Sequence, residues 1–172
     1  MNGQPPVILE QYDPAWAAGF ETERRLLLPV LEPWLVGPIE HIGSTAVPGL
    51  RAKPIIDIMA AVRDLASSMP AIEALKPLRY CYFEYKASVM HWFCKPSDFD
   101  RTHHLHLVPF GSQLWRDRVA FRDRLRGEPA IRSAYEEIKV ALAAKHREDR
   151  EAYTEAKTGF VQSVLGQLTS AS

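Results

Sequence analysis

Residues 40–62 read EHIGSTAVPGLRAKPIIDIMAAV. A short strand over residues 38–42 runs into Gly43-Ser44, a loop containing Pro48 and Gly49 follows, and an apolar run from Pro54 to Val62 carries one carboxylate, Asp57. That run is apolar at successive positions instead of alternate ones, so both of its faces need cover. It belongs in the middle of a sheet packed on both sides.

The flanking sequence supplies the cover. Asp13-Pro14 reads as a helix cap followed by a first-turn proline. Trp16, Phe20, Leu27 and Leu31 then share a helical face, with Glu21, Glu23 and Arg24 opposite. Pro29 and Pro33 are expected to kink or interrupt this helix before Leu35. A short helix is expected from Leu65 to about Lys76, with Met69-Pro70 near its start. A hairpin over 79–85 and 88–94, turning near Lys86-Ala87, places Cys81, Phe83, Met90 and Trp92 on one face. HHLHLVPF is another strand. From Ser112 the chain reads as helical. Ser112 caps a helix bearing Leu114, Trp115, Val119, Phe121 and Leu125, and Glu128-Pro129 starts a second one through about Lys145. A final helix over about residues 149–168 buries Ala152, Ala156, Phe160, Val164 and Leu168. The fold class is α/β (α+β): a mixed sheet flanked by helices, with a helical C-terminal segment, in one domain over residues 1–172.

Composition bounds the function. A chain of 172 residues buries a real core, and 47% hydrophobic with 24% charged residues is ordinary for a globular protein. The 21 basic and 21 acidic residues cancel, which argues against long nucleic acid as a partner and leaves a small anionic ligand open. No apolar run is long enough to cross a bilayer, so no membrane partner is expected. The start MNGQPPVILEQYDP lacks a signal-peptide pattern, and Cys81 and Cys94 are too few for a disulfide scaffold. The reading is a cytoplasmic protein with reduced thiols.

Several residues could carry chemistry. Gly43 lets backbone approach a ligand, and Ser44 adds a hydroxyl and an N–H, so a phosphate could sit at this turn. The same residues also make an ordinary turn between strands. Asp57 inside an apolar run needs a metal, a cation such as Lys53, or several N–H donors. His104 and His106, two apart on a strand, point to one side and could bind a transition metal or act in acid–base chemistry, while His103 points to the other. Arg150, Tyr153 and Lys157 recur at helical spacing and could present two cations and a phenol to a phosphate, or form a solvated face.

HIGSTAVPGLRAKPIIDI, HHLHLVPFGSQLWRDRVAFRDRLR and DREAYTEAK, taken together, resemble the GrpB family over about Val7 to Leu165. The resemblance implies a nucleotidyltransferase-like fold, in which a Gly-Ser turn binds a triphosphate tail and carboxylates on the following strand hold divalent metal. Gly43 and Ser44 match that turn, and Asp57 matches the first carboxylate. The second would fall at Met59, which cannot ligate Mg²⁺. If the third comes from HHLHLVP, His104 or His106 stands there.

The expected function is that of a nucleotidyltransferase-like enzyme acting on a nucleotide or phosphorylated small molecule. Gly43 and Ser44 would hold phosphate, and Lys53, Arg101, Arg150 and Lys157 would neutralise it, with Tyr153 beside them. Asp57 would bind Mg²⁺ or Mn²⁺ with help from ligand oxygens, and His104 and His106 could complete a Zn²⁺ site. The alternatives are a non-catalytic nucleotide- or phosphate-binding module, favoured by Met59, and a metal-dependent phosphoesterase built on Asp57, His104 and His106.

Overall fold

A computed structural model describes residues 5–169, with side chains to residue 166. Residues 1–4, and the side chain of Leu168 in the expected buried stripe, lie outside that description. The chain runs through α1 (Ala15–Leu31), β1 (Leu35–Ile42), a 3₁₀ turn (Ser44–Ala46) and β2 (Ile56–Val62). Two one-turn helices, α2 (Leu65–Ser68) and α3 (Ala71–Ala74), lead to β3 (Cys81–Phe83), β4 (His91–Pro96) and β5 (Arg101–Pro109). Helices α4 (Gln113–Gly127), α5 (Pro129–Lys145), α6 (Arg150–Ala156) and α7 (Thr158–Thr169) follow.

The five strands form one mixed sheet in the order β1-β2-β5-β4-β3, with β2 and β5 parallel and the other pairs antiparallel. The doubly apolar β2 is interior, as its pattern requires. Ile56, Ile58, Ala60 and Val62 pack with Phe20, Leu27 and Leu31 of α1 and with Leu105 and Leu107 of β5. On the opposite face Met59 and Ala61 join Ile42, Met90, Val108 and Trp115 of α4. A third cluster, Val47, Leu50, Leu125 and Tyr135 with Phe160 against it, ties the loop after Gly43 to the C-terminal helices. Among the described residues no helix is long and apolar enough to cross a membrane.

The fold departs from the sequence reading in several details. α1 stops before Leu35, as expected, but runs through Pro29 to Leu31, and β1 starts at Leu35 instead of residue 38. Pro29 is exposed, so the carbonyl left without its N–H partner can be hydrated, while Leu27 and Leu31 hold the last turn on the sheet. The helix expected from Leu65 to Lys76 divides at Met69-Pro70 into α2, capped by Asp64 accepting from the Ser67 N–H at 2.7 Å, and α3. The final helix breaks at Lys157, before the weak helix formers Thr158 and Gly159, and Ala156 is exposed instead of buried. Glu23 is buried, not on the solvent face. Its Oε1 accepts from the Tyr80 hydroxyl at 2.9 Å and from Lys95 Nζ at 2.6 Å, and His103 Nε2 stands 3.9 Å from Oε2. This cluster joins α1 to β4 and β5 on the face away from Asp57, which keeps His103 structural.

Replacing Glu23 with Ala strands the Lys95 ammonium, whose side chain is 17% exposed, against the Tyr80 ring. Glu23→Ala should therefore cost about 3 kcal/mol in urea unfolding, whereas Glu21→Ala, which removes only an exposed pair with Arg24, should stay within about 0.5 kcal/mol.

Candidate functional site

Gly43 and Asp57 are in direct contact. Gly43 has φ +72°, and a Cβ built there would lie 2.5 Å from Asp57 Oδ2 and 3.1 Å from Asp57 Cγ. The glycine is thus required twice, by its left-handed backbone and by the carboxylate filling the space a side chain would take. Behind the turn, the buried His41 Nε2 donates to Thr45 Oγ1 at 3.0 Å, and Thr45 donates to the Ile55 carbonyl at 3.3 Å. The His41 ring stacks on Phe20 with centroids 4.7 Å apart. Burial lowers the His41 pKa to about 4, with Asp57 opposing, so the ring is neutral at pH 7.

The parallel register sets Asp57 beside His104 and Met59 beside His106. His104 Nδ1 donates to Asp57 Oδ1 at 2.9 Å, and His106 Nε2 lies 3.9 Å from the same oxygen. Burial pushes the Asp57 carboxyl up, but the His104 hydrogen bond and the nearby His106 ring outweigh it and hold the group well below the usual carboxylate range. The side chain keeps 30% of its surface open, so a ligand can reach Asp57. Burial lowers His106 to about 3, helped by Arg118. His104 Nε2 is buried without a hydrogen-bond partner. Met59 has no exposed surface and packs under Trp115. A carboxylate there would sit inside the α4 face.

Above Asp57, three lysines converge. Lys53 Nζ lies 5.3 Å and Lys157 Nζ 4.1 Å from the Tyr153 ring centroid, and Lys139 Nζ is 5.3 Å from that of Tyr135. Burial, followed by mutual repulsion, lowers Lys139 and Lys157 to about 7. Lys53 falls to about 8 through burial, with Arg150 and Arg101 contributing. Asp57 pulls all three the other way. None of them forms an ion pair among the described residues. Glu136, on the helix that carries Lys139, is held by Arg51 at 3.4 Å, and Lys139 instead donates to the Arg51 carbonyl. The Tyr135 phenol, pushed up to about 12 by burial, stands near enough to the Ser44 side chain for that group to oppose the shift. This ties the turn to the lysine cluster.

The expected residues therefore gather from separate elements: Gly43 and Ser44 from the turn, Lys53 from the loop before β2, Asp57 from β2, His104 and His106 from β5, and Tyr153 and Lys157 from the end of α6. Two of them differ in detail. Tyr153 is buried, so its ring supports Lys53 and Lys157 and its hydroxyl does not face solvent. Arg150 Nε donates to the Pro5 carbonyl at 3.1 Å, and Arg101 is paired with Asp98, so both stand at the rim. Sequence reasoning missed His41, Arg118, Tyr135 and Lys139. Tyr135 and Lys139 share one face of α5 at a spacing of four, but that face looks like any amphipathic one until its neighbour is known.

No group of three or more His, Cys, Asp or Glu among the described residues is arranged to hold a metal ion. A softer ion bound by Asp57, His104 and His106 would displace the Nδ1 proton that His104 shares with Asp57. The donor set fits better a hard ion that takes one carboxylate and draws its other ligands from phosphate and water. Two clefts, of about 550 Å³ between α1, β1 and α4 and about 610 Å³ beside α5, open elsewhere. Their arginines Arg24, Arg122, Arg126 and Arg51 are already paired with Glu21, Glu40, Asp123 and Glu136. The Asp57 face, with three lysines that form no ion pair among the described residues, is the candidate site.

Residues 6–167 match the family model described as GrpB protein. The chain is 38% identical over 164 residues to a UPF0157 protein of Pseudomonas aeruginosa, covering 92% of this chain and 66% of that one. It is 33% identical over 167 residues to the glutamate-rich protein GrpB of Alkalihalophilus pseudofirmus, covering 94% of this chain and 95% of that one. The crystal structure of the conserved protein GrpB from Enterococcus faecalis superposes with a TM-score of 0.84 at 33% identity, over 93% of this chain and 96% of that one.

Two outcomes follow from this geometry. Gly43→Ala should lose about 2–3 kcal/mol in urea titration, since a left-handed alanine must also displace Asp57, and an unchanged midpoint would refute the contact. The unfolded chain protonates residue 41 near its ordinary 6.5 and the folded chain only near 4. Stability should thus fall as pH drops through that window, by up to about 1.4 kcal/mol per pH unit from this group. His41→Gln, which keeps the donor to Thr45, should flatten that slope in urea titrations between pH 7 and 4.

Proposed function

The chain belongs to the GrpB family, within the nucleotidyltransferase-like superfamily, and from that premise we propose that the Asp57 face binds the polyphosphate end of a nucleotide or phosphorylated small molecule for phosphoryl or nucleotidyl transfer. The observation that carries this reading is the convergence of Lys53, Lys139 and Lys157, none of them ion-paired among the described residues. Three mutually repelling cations held partly out of water destabilise the free protein, and a polyanion relieves that repulsion. Ser44 and the backbone beside Gly43 would hold one phosphate, and the lysines would neutralise the rest. Asp57 would hold a Mg²⁺ or Mn²⁺ ion arriving with the ligand, which would supply charge neutralisation at the phosphate oxygens. His104 orients the Asp57 carboxylate through its Nδ1–H, and the buried His106, kept neutral, lines the site beside it.

A second reading keeps the binding and drops the transfer. Met59 favours it, because packing under Trp115 leaves no place at that position for a second metal-bridging carboxylate.

Calorimetry with inorganic tripolyphosphate and with nucleoside triphosphates, each with and without Mg²⁺, tests both readings. Binding at pH 7 should take up protons, as the anion restores lysines whose free pKa is about 7. Affinity should then fall between pH 7 and 9 as the free amines deprotonate, and Lys157→Ala should weaken binding at least tenfold. No binding in any arm would sink the proposal. Binding without turnover over a panel of acceptors would select the second reading.

A further inference from the structure

The strand register continues the floor of the site past the histidines. β4 lies next to β5 and sets Trp92 beside His106, on the face that carries Asp57. The Trp92 ring centroid is 5.2 Å from His104, 5.5 Å from Phe83 and 6.0 Å from Tyr85. Helix α4 covers this face through Trp115 over Met59, Val108 and Met90. Beyond that, Trp92 is half-buried and Tyr85 is 47% exposed. The Arg101 guanidinium lies over the Trp92 ring at 5.3 Å, and its charge is felt at Lys53 and Arg150. A row of partly buried aromatic rings, open to solvent at Tyr85, thus abuts the cationic pocket and is joined to it by a planar cation. From Asp57 to Trp92 the floor crosses two strand spacings, about 10 Å, and steps two residues along the strands, about 7 Å. A sugar separates phosphate from base on this scale.

We infer that Trp92, Tyr85 and the Arg101 guanidinium form the shelf on which the planar heteroaromatic ring of a nucleotide stacks while its phosphates occupy the lysine pocket. The inference rests on the phosphate reading above and adds to it the ligand class: a nucleotide, and not a phosphorylated sugar or a bare polyphosphate. Stacking on aromatic rings and on guanidinium planes tolerates any base, because every base presents a π face. The shelf therefore favours nucleotides as a class over selection of one base.

The test compares calorimetric affinities of purine and pyrimidine nucleoside triphosphates with that of inorganic tripolyphosphate. It uses the wild-type chain, Tyr85→Ala, Trp92→Leu and Lys157→Ala. Tyr85 is exposed, so Tyr85→Ala remains informative should Trp92→Leu fail a thermal-melt check of folding. The wild-type chain should bind both nucleoside triphosphates about tenfold or more tighter than tripolyphosphate. Tyr85→Ala and Trp92→Leu should each narrow that gap about tenfold while leaving tripolyphosphate affinity unchanged. Lys157→Ala should weaken every ligand alike. Equal wild-type affinity for tripolyphosphate and nucleotides, or equal loss of both in the shelf variants, overturns the inference and leaves the phosphate pocket standing. No binding of any of these polyanions overturns both.

Discussion

The contact between the Gly43 backbone and the Asp57 carboxylate sets the geometry of the rest. A Cβ at residue 43 would come within 2.5 Å of Asp57 Oδ2, so the turn can close over β2 only as glycine. That closure puts Ser44 within reach of Tyr135 and orders the His41–Thr45–Ile55 string behind the turn. It also fixes one side of the carboxylate while the His104 Nδ1–H fixes the other. Asp57 is therefore oriented by contacts already present in the free protein, which lowers the reorganisation a ligand must drive.

Charge then explains why the C-terminal helices are built as they are. Lys139 and Lys157 come from different helices and Lys53 from a loop, and each rests on a tyrosine face. The rings hold the ammonium groups where water is scarce, which lowers their pKa and strengthens their pull on an anion. The Glu23–Lys95–Tyr80 cluster on the opposite face shows the contrasting arrangement. There a buried lysine meets its carboxylate at 2.6 Å, and nothing is left for a ligand to neutralise.

Much of this was legible residue by residue. Successive apolar positions along 54–62 placed β2 inside the sheet, and Ser112 and Glu128-Pro129 marked the helix starts that are observed. Gly43, Ser44 and Asp57 could be picked out because glycine, a hydroxyl and a lone acid in an apolar run are each chemically conspicuous. His104 and His106 followed from their alternation, which the sheet preserves. Glu23 was misplaced because its helical angle is borderline, and only Tyr80 and Lys95, more than fifty residues away, make burial favourable. Lys139 was passed over because a lysine on an amphipathic helix is ordinarily a solvated one.

By itself, the sequence determined the class of fold, the family and the chemical character of the turn and strand around Asp57, because hydrophobic period, capping and glycine placement are local properties. Tertiary structure decided the rest. The parallel pairing of β2 with β5 chose which histidine holds Asp57, and the packing of Trp115 on Met59 closed the second acidic position. The docking of α5 and α6 brought together three lysines separated by up to a hundred residues. Electrostatic fields add over space and not along the chain, so a cationic pocket assembled from distant segments leaves no local mark in any one of them.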